Sequence, residues 1–152
     1  MQIIERKETP TLSIRYRTPV SELPNTMGEM YGEIAAYMGK NRIPFAGSPF
    51  IVYYNMDMND LDVEVGFPLV KPDAGEGRIA GSMLRGGLFA TAKHTGPYTT
   101  LEGTYNALTA FIKEKGVQTE TFMFEEYLNS PEDTPPEKLE TVIYFPLKKD
   151  FL

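Results

Sequence analysis

Residues 122–129 read F-M-F-E-E-Y-L-N, and the way they alternate decides how the rest of the chain is read. Aromatic and β-favouring residues recur with period two, between polar residues 119–121 and the turn-forming Asn129-Ser130-Pro131, which is the pattern of a strand. Phe124, Glu126 and Leu128 share one face of it; Met123, Glu125, Tyr127 and Asn129 share the other. If the second face looks into apolar surroundings, Glu125 must pair with a cation or keep its proton, because desolvation disfavours a carboxylate.

An earlier stretch copies this one. Shifting by 74 residues puts Tyr31 on Tyr105, Ile34 on Leu108, Phe50 on Phe124, Tyr53 on Tyr127 and Asn55 on Asn129. A shift of 78 then puts Phe67-Pro68-Leu69 on Phe145-Pro146-Leu147, with the four extra residues assigned to loop 130–138. Internal duplication of this kind is a statement about architecture. The sister position of Glu125 is Ile51, so strand formation alone does not require an acid there.

Outward from the repeat, residues 2–7 and 11–17 alternate and are split by Thr9-Pro10. Met27, Met30 or Tyr31, Ile34 and Met38 recur at helical spacing over about 24–40, between Pro24 and Gly39. Strands at 50–56 and 61–70 flank an acidic turn, and a Gly- and Pro-containing linker spans 71–78. Strands at 78–84 and 87–94 turn at Arg85-Gly86-Gly87. A second helix follows His94-Thr95-Gly96-Pro97-Tyr98, with Thr99 and Glu102 at capping-box spacing and Gly116 as its stop. The 122–129 strand and a last strand at 140–147 complete the chain. Each half then reads strand, strand, helix, strand, strand. The expected fold is α+β: one domain over 1–152, with pseudo-repeats at about 2–70 and 78–148. About eight strands form a curved antiparallel sheet, with two helices on one face and a groove at the pseudo-twofold axis.

Composition narrows the function. At 152 residues the chain suits one domain. A net charge of −6 argues against direct nucleic-acid binding. No apolar run is long enough to span a membrane, and the charged N-terminus is unlike a signal peptide. The absence of cysteine removes disulfide, thiolate and zinc-thiolate chemistry, and a cytoplasmic location is the default expectation. Nine Tyr, nine Phe and eight Met give an adaptable, aromatic-rich inventory suited to flat apolar ligands. His94 has no second histidine or carboxylate at ligand spacing, so no metal and no cofactor is expected. A lone histidine before a Gly-Pro turn more often holds backbone groups than catalyses.

With D-V-E-V-G-F-P-L at 62–69, H-T-G-P-Y at 94–98, F-E-E-Y-L-N-S-P at 124–131 and T-V-I-Y-F-P-L at 141–147, the chain resembles the GyrI-like small-molecule-binding domain. This is the effector-binding module of AraC- and MerR-type multidrug-responsive regulators, also found alone. The resemblance covers about residues 2–148. It implies two SHS2-like modules with a central groove that takes lipophilic, often cationic, aromatic compounds between Tyr and Phe side chains and a glutamate. By its place before the Tyr of F-E-E-Y-L, that glutamate is Glu125. Some family members look like hydrolases of cyclopropane-bearing DNA-alkylating compounds, using a Glu and a Tyr of the same groove. A helix-turn-helix segment is absent from the pattern, so direct transcriptional control is not expected.

The candidate ligand-binding residues are Glu125, Tyr127, Tyr144, Tyr53, Tyr105, Tyr54 and Met123, with Tyr127 and Tyr144 on or beside the Glu125 face. Glu125 and Tyr144 are the catalytic pair if the protein is a hydrolase. Glu64 is either a second groove acid or a solvated carboxylate beside Asp62. Partners are expected to be small hydrophobic or cationic aromatic molecules, with the oligomeric state open. A protein–protein inhibitor, supported only by the acidic charge, is the lower alternative.

Overall fold

The computed structural model describes residues 1–148 and divides into two compact units. One consists of Met1–Lys7 with the chain from Gly86 onward; the other is Glu8–Arg85. Among the described residues there are nine strands and two α-helices: β1 Gln2–Arg6, β2 Thr9–Thr18, α1 Leu23–Lys40, β3 Phe50–Tyr53, β4 Leu61–Pro68, β5 Gly75–Glu76, β6 Ile79–Leu84, β7 Gly87–Thr95, α2 Leu101–Lys115, β8 Met123–Tyr127 and β9 Glu140–Pro146. All strand pairings within each unit are antiparallel, giving the expected α+β class.

In the Glu8–Arg85 unit the strands run β3-β4-β2-β6-β5. Met30, Ile34 and Met38 recur every fourth residue and are buried, so α1 lays one apolar stripe on the sheet. Ile14, Val63 and Val65, all nearly inaccessible, form the strand face that alternates inward. Tyr16 donates to Thr26 Oγ1 at 2.9 Å and Tyr31 to the Phe50 carbonyl at 2.5 Å, tying helix to strands.

In the other unit the order is β1-β7-β9-β8, with α2 packed on β7. The sequence repeats and the compact units therefore do not coincide. The first strand of each repeat, β1 or β6, pairs inside the unit built from the rest of the other repeat: β1 on β7 and β6 on β2.

The duplication itself is visible bond by bond. Asn55 donates to the Asp60 carbonyl and accepts from the Asp62 amide, at 3.0 Å each; Asn129 does the same with Lys138 and Glu140 at 3.1 and 2.9 Å. The Leu69 amide donates to Pro10 as that of Leu147 does to Leu88. Along the helices, however, the matching contacts are 78 residues apart rather than 74. Tyr16 and Thr26 correspond to His94 and Thr104, which lie 2.6 Å apart. The shorter α2, 15 residues against 18, absorbs part of the offset before β8.

Several local expectations need correction. Thr9-Pro10 does not interrupt a strand: both residues open β2 and pair with β6, and the break falls at Lys7-Glu8. The 71–78 linker holds the two-residue strand β5, fixed because Asp73 accepts from the Tyr37 hydroxyl at 2.9 Å and the Gly75 amide at 2.8 Å. No capping box forms at α2. A 3₁₀ turn over Tyr98–Thr100 makes Thr100 the cap residue, and its hydroxyl is spent on the Pro97 carbonyl at 2.8 Å. Gly116 does end α2, in the left-handed region at φ 68°.

Candidate functional site

The register of β8 on β9 decides which side chains meet. Glu125 stands opposite Ile143, Tyr127 opposite Thr141, and Phe124 opposite Tyr144. Directly opposed residues of an antiparallel pair share a face. Continued onto β7, the first set includes Ala92 and His94, and it faces α2. Glu125 is thus directed at the helix and is only 4% exposed.

Both carboxyl oxygens are occupied. Tyr127 donates its hydroxyl to Oε1 at 2.9 Å, and Tyr105, projecting from α2, donates to Oε2. The Tyr105 hydroxyl also lies 3.7 Å from the Met123 sulfur. Phe145 meets the Tyr105 ring edge-on at 6.2 Å, and Tyr98 meets Tyr127 at 5.7 Å. Burial pushes the Glu125 carboxyl above its usual range, and the two phenols, which favour the charged form, only partly offset this. The Tyr98 phenol is raised too, by burial first and then by the Glu125 charge. Among the described residues no Lys, Arg or His forms an ion pair with Glu125. A buried acid held by neutral donors and walled by aromatic rings can hold a proton, accept a cation, or accept a hydrogen bond from a ligand.

Of the residues selected from sequence, Tyr105, Tyr127 and Met123 are brought to Glu125. Tyr144 is not: alternation along β9 puts it on the opposite face, stacked on Phe124 at 4.7 Å. There Phe89 meets both rings edge-on, and the Arg6 guanidinium lies over them at 4.7 and 5.3 Å while pairing with Glu126 at 3.2 Å. Burial and then the Glu126 charge push the Tyr144 phenol up to about 12. This cluster, with Phe89 and Phe124 fully buried, is a packing centre that sequence reasoning missed. Its partners come from β1, β7, β8 and β9, with no local signal linking them.

Tyr53 and Tyr54 belong to the other unit. Tyr53 is half-buried opposite Val63. Tyr54 donates to Glu64 at 2.5 Å and lies under the Arg15 guanidinium at 3.8 Å. Burial and then the Glu64 bond raise its phenol well above the ordinary value. Glu64 is not a freely solvated acid: it is half-buried and also accepts from Ser13 Oγ at 2.5 Å. Asp62 pairs instead with Arg15 at 2.8 Å. His94 is buried between Thr104, Thr100 and the Pro97 carbonyl, an anchor for the entry to α2. No group of described side chains could hold a metal ion, and no described helix is long and apolar enough to cross a membrane.

The family model of the GyrI-like small molecule binding domain matches residues 1–148. The chain belongs to this family. No curated protein matches the sequence. Among solved structures, EcmrR in a DNA complex is similar over 97% of this GyrI-like chain, at 20% identity and TM-score 0.84, and the match spans 57% of the EcmrR chain. A hydrolase from Listeria innocua matches at 15% identity and TM-score 0.68, covering 97% of this chain and 91% of that one. SAV2435 bound to tetraphenylphosphonium matches at 12% identity and TM-score 0.68, covering 97% and 93%. Identities this low establish a shared fold, and the GyrI-like family assignment establishes small-molecule binding as the function class.

Proposed function

We propose that this chain binds lipophilic aromatic cations, such as planar dyes and multidrug-type compounds, with Glu125 as electrostatic anchor and Tyr105, Tyr127, Tyr98 and Met123 around the ligand. The observation that carries this reading is a carboxyl group 4% exposed, facing phenols, and without a protein cation among the described residues. A ligand cation placed about 4 Å from the carboxylate gains roughly 4 kcal/mol of gross attraction at an effective dielectric near 20, and desolvation takes back part of it. Each ring presented face-on adds about 0.5–2 kcal/mol. The expected affinity is in the micromolar range, about −8 kcal/mol, and specificity is broad because stacking is not directional. The tetraphenylphosphonium bound to SAV2435 is a ligand of this class. A net charge of −6 disfavours direct contact with nucleic acid.

The test is a thermal-shift screen with rhodamine dyes and tetraphenylphosphonium on the wild type and Glu125→Gln. Cations should raise the wild-type melting temperature and raise that of the variant less. Equal shifts in both proteins, or none in the wild type, would remove the reading.

A second reading, hydrolysis of cyclopropane-bearing alkylating compounds, is favoured by the Tyr105 hydroxyl resting on Glu125. Glu125 would activate a water as general base, and Tyr105 or Tyr127, not Tyr144, would protonate the opening ring. Burial of the carboxyl works against this reading, because a base must first lose its proton. Incubation with such a compound separates the two: a water adduct formed over many turnovers supports the hydrolase, and stoichiometric retention of intact compound supports the receptor.

A further inference from the structure

The Glu125 cluster also bears on what leaves when a ligand arrives, an inference that rests on the cation-binding reading above. Each oxygen of Glu125 is met by a phenol O–H, from Tyr105 on α2 and Tyr127 on β8. Neither donor supplies positive charge. The charged residues on the strands around it, Glu126 of β8, Lys93 of β7 and Glu140 of β9, occupy the alternate register positions and point to the other face. Those of α2, Glu102, Lys113, Glu114 and Lys115, are exposed, as is Glu5 of β1. Besides the two phenols, Tyr98 and the buried His94 also lie on the helix side. The His94 nitrogens are engaged by Thr104, Thr100 and the Pro97 carbonyl. A charge left on Glu125 would therefore be buried with hydrogen bonds but without a counter-ion, an expensive state in a low-dielectric setting.

We propose that the site is a proton-for-cation exchanger: the unliganded cluster holds one proton on Glu125 Oε2, directed at the Tyr105 oxygen while the Tyr105 hydroxyl turns to the Met123 sulfur, and an incoming cation takes its place. The step is balanced and involves no redox change. The carboxyl O–H bond breaks, the proton passes to water or buffer, and the carboxylate keeps the electron pair and faces the ligand cation. Burial favours the neutral form before binding, and the ligand's charge favours the anion afterwards, so the same carboxyl serves both states. Neutral aromatic compounds would enter without moving a proton. Selection for cations would then weaken in acid, where the proton competes with the ligand.

Isothermal titration of the whole chain with tetraphenylphosphonium tests this in buffers of different ionisation enthalpy, from pH 5 to 8. The slope of observed heat against buffer enthalpy counts protons. The expected result is release that approaches one proton per cation below the folded value of Glu125 and falls toward zero above it. Over the releasing range apparent affinity should increase by about tenfold per pH unit. Neutral triphenylphosphine oxide should give no slope. Glu125→Gln should abolish the slope while leaving weakened binding. Tyr127→Phe, which removes one group favouring the anion, should keep the slope and move the releasing range to higher pH. Cation binding with zero slope at every pH, or a slope that survives in Glu125→Gln, overturns the exchange while leaving the receptor reading intact. Absence of cation binding, read independently by equilibrium dialysis, overturns both.

Discussion

Replacing Glu125 by Gln tests the burial argument in the unliganded protein. Glutamine keeps the shape and one carbonyl acceptor for a phenol but cannot ionise. An unfolded glutamate ionises near 4.5, and in the fold burial raises that value. The sign follows: the folded state holds its proton more tightly, so this contribution to stability is complete below pH 4.5, is lost as pH rises through the folded value, and is constant above it. Within that window the slope reaches at most about 1.4 kcal/mol per pH unit. For a chain of this length 1 kcal/mol corresponds to about 2–4 °C, so the variant's melting temperature should gain on the wild type by up to roughly 3–6 °C per pH unit. Thermal melts of both proteins from pH 4 to 8, compared as a difference, cancel the other 20 of the 21 acidic residues. Parallel curves across the range would refute the reasoning. A wild type that gains on the variant as pH rises would refute it more strongly, since the fold would then stabilise the carboxylate.

Other substitutions test separate parts of the account. Tyr144→Phe should leave rhodamine affinity within about twofold in a fluorescence titration, because the ring lies on the face away from Glu125, whereas Glu125→Gln should weaken it at least severalfold. Gly66→Ala would place a Cβ 2.3 Å from the Leu12 carbonyl oxygen on the neighbouring strand; it should cost about 1–3 kcal/mol or more, seen as a lower denaturation midpoint. Thr141→Val should raise stability by about 1 kcal/mol, seen as a higher denaturation midpoint, since the Thr141 hydroxyl is buried without a hydrogen-bond partner among the described residues and valine has the same shape.

Much of the architecture was legible because its signals are local. The every-fourth-residue stripe of Met30, Ile34 and Met38 states which face of α1 is buried, and Gly116 supplies the positive φ that its helix end needs. Asn55 and Asn129 recur because each closes the same turn with the same two hydrogen bonds. What escaped depends on distant parts of the chain. That β1 and β6 pair within opposite units is a matter of strand order, which leaves no periodic mark. The Thr99–Glu102 spacing fitted a capping box, but the chain enters α2 through a 3₁₀ turn one residue later and Thr100 is otherwise engaged.

The site divides along the same line. Glu125 stood out as an acid where the sister strand carries Ile51, and Met123 and Tyr127 followed from alternation. Tyr144 could not be placed that way, because residues 142–147 (V-I-Y-F-P-L) carry apolar or aromatic side chains on both faces and a one-residue change of register moves every side chain to the other side. Its actual neighbour, Arg6, is contributed by the first strand.

The central claim is that a buried acid at position 125, held by phenols and without a counter-ion among the described residues, gives this site a preference for positive charge. Fluorescence titration of the wild type and Glu125→Gln with a rhodamine cation and with its uncharged analogue, both at pH 8, measures this most directly. The account predicts tighter binding of the cation by the wild type and collapse of that preference in the variant, with affinity for the neutral compound nearly unchanged. Equal affinity of the wild type for the two compounds, or a preference that persists without the carboxylate, would contradict it.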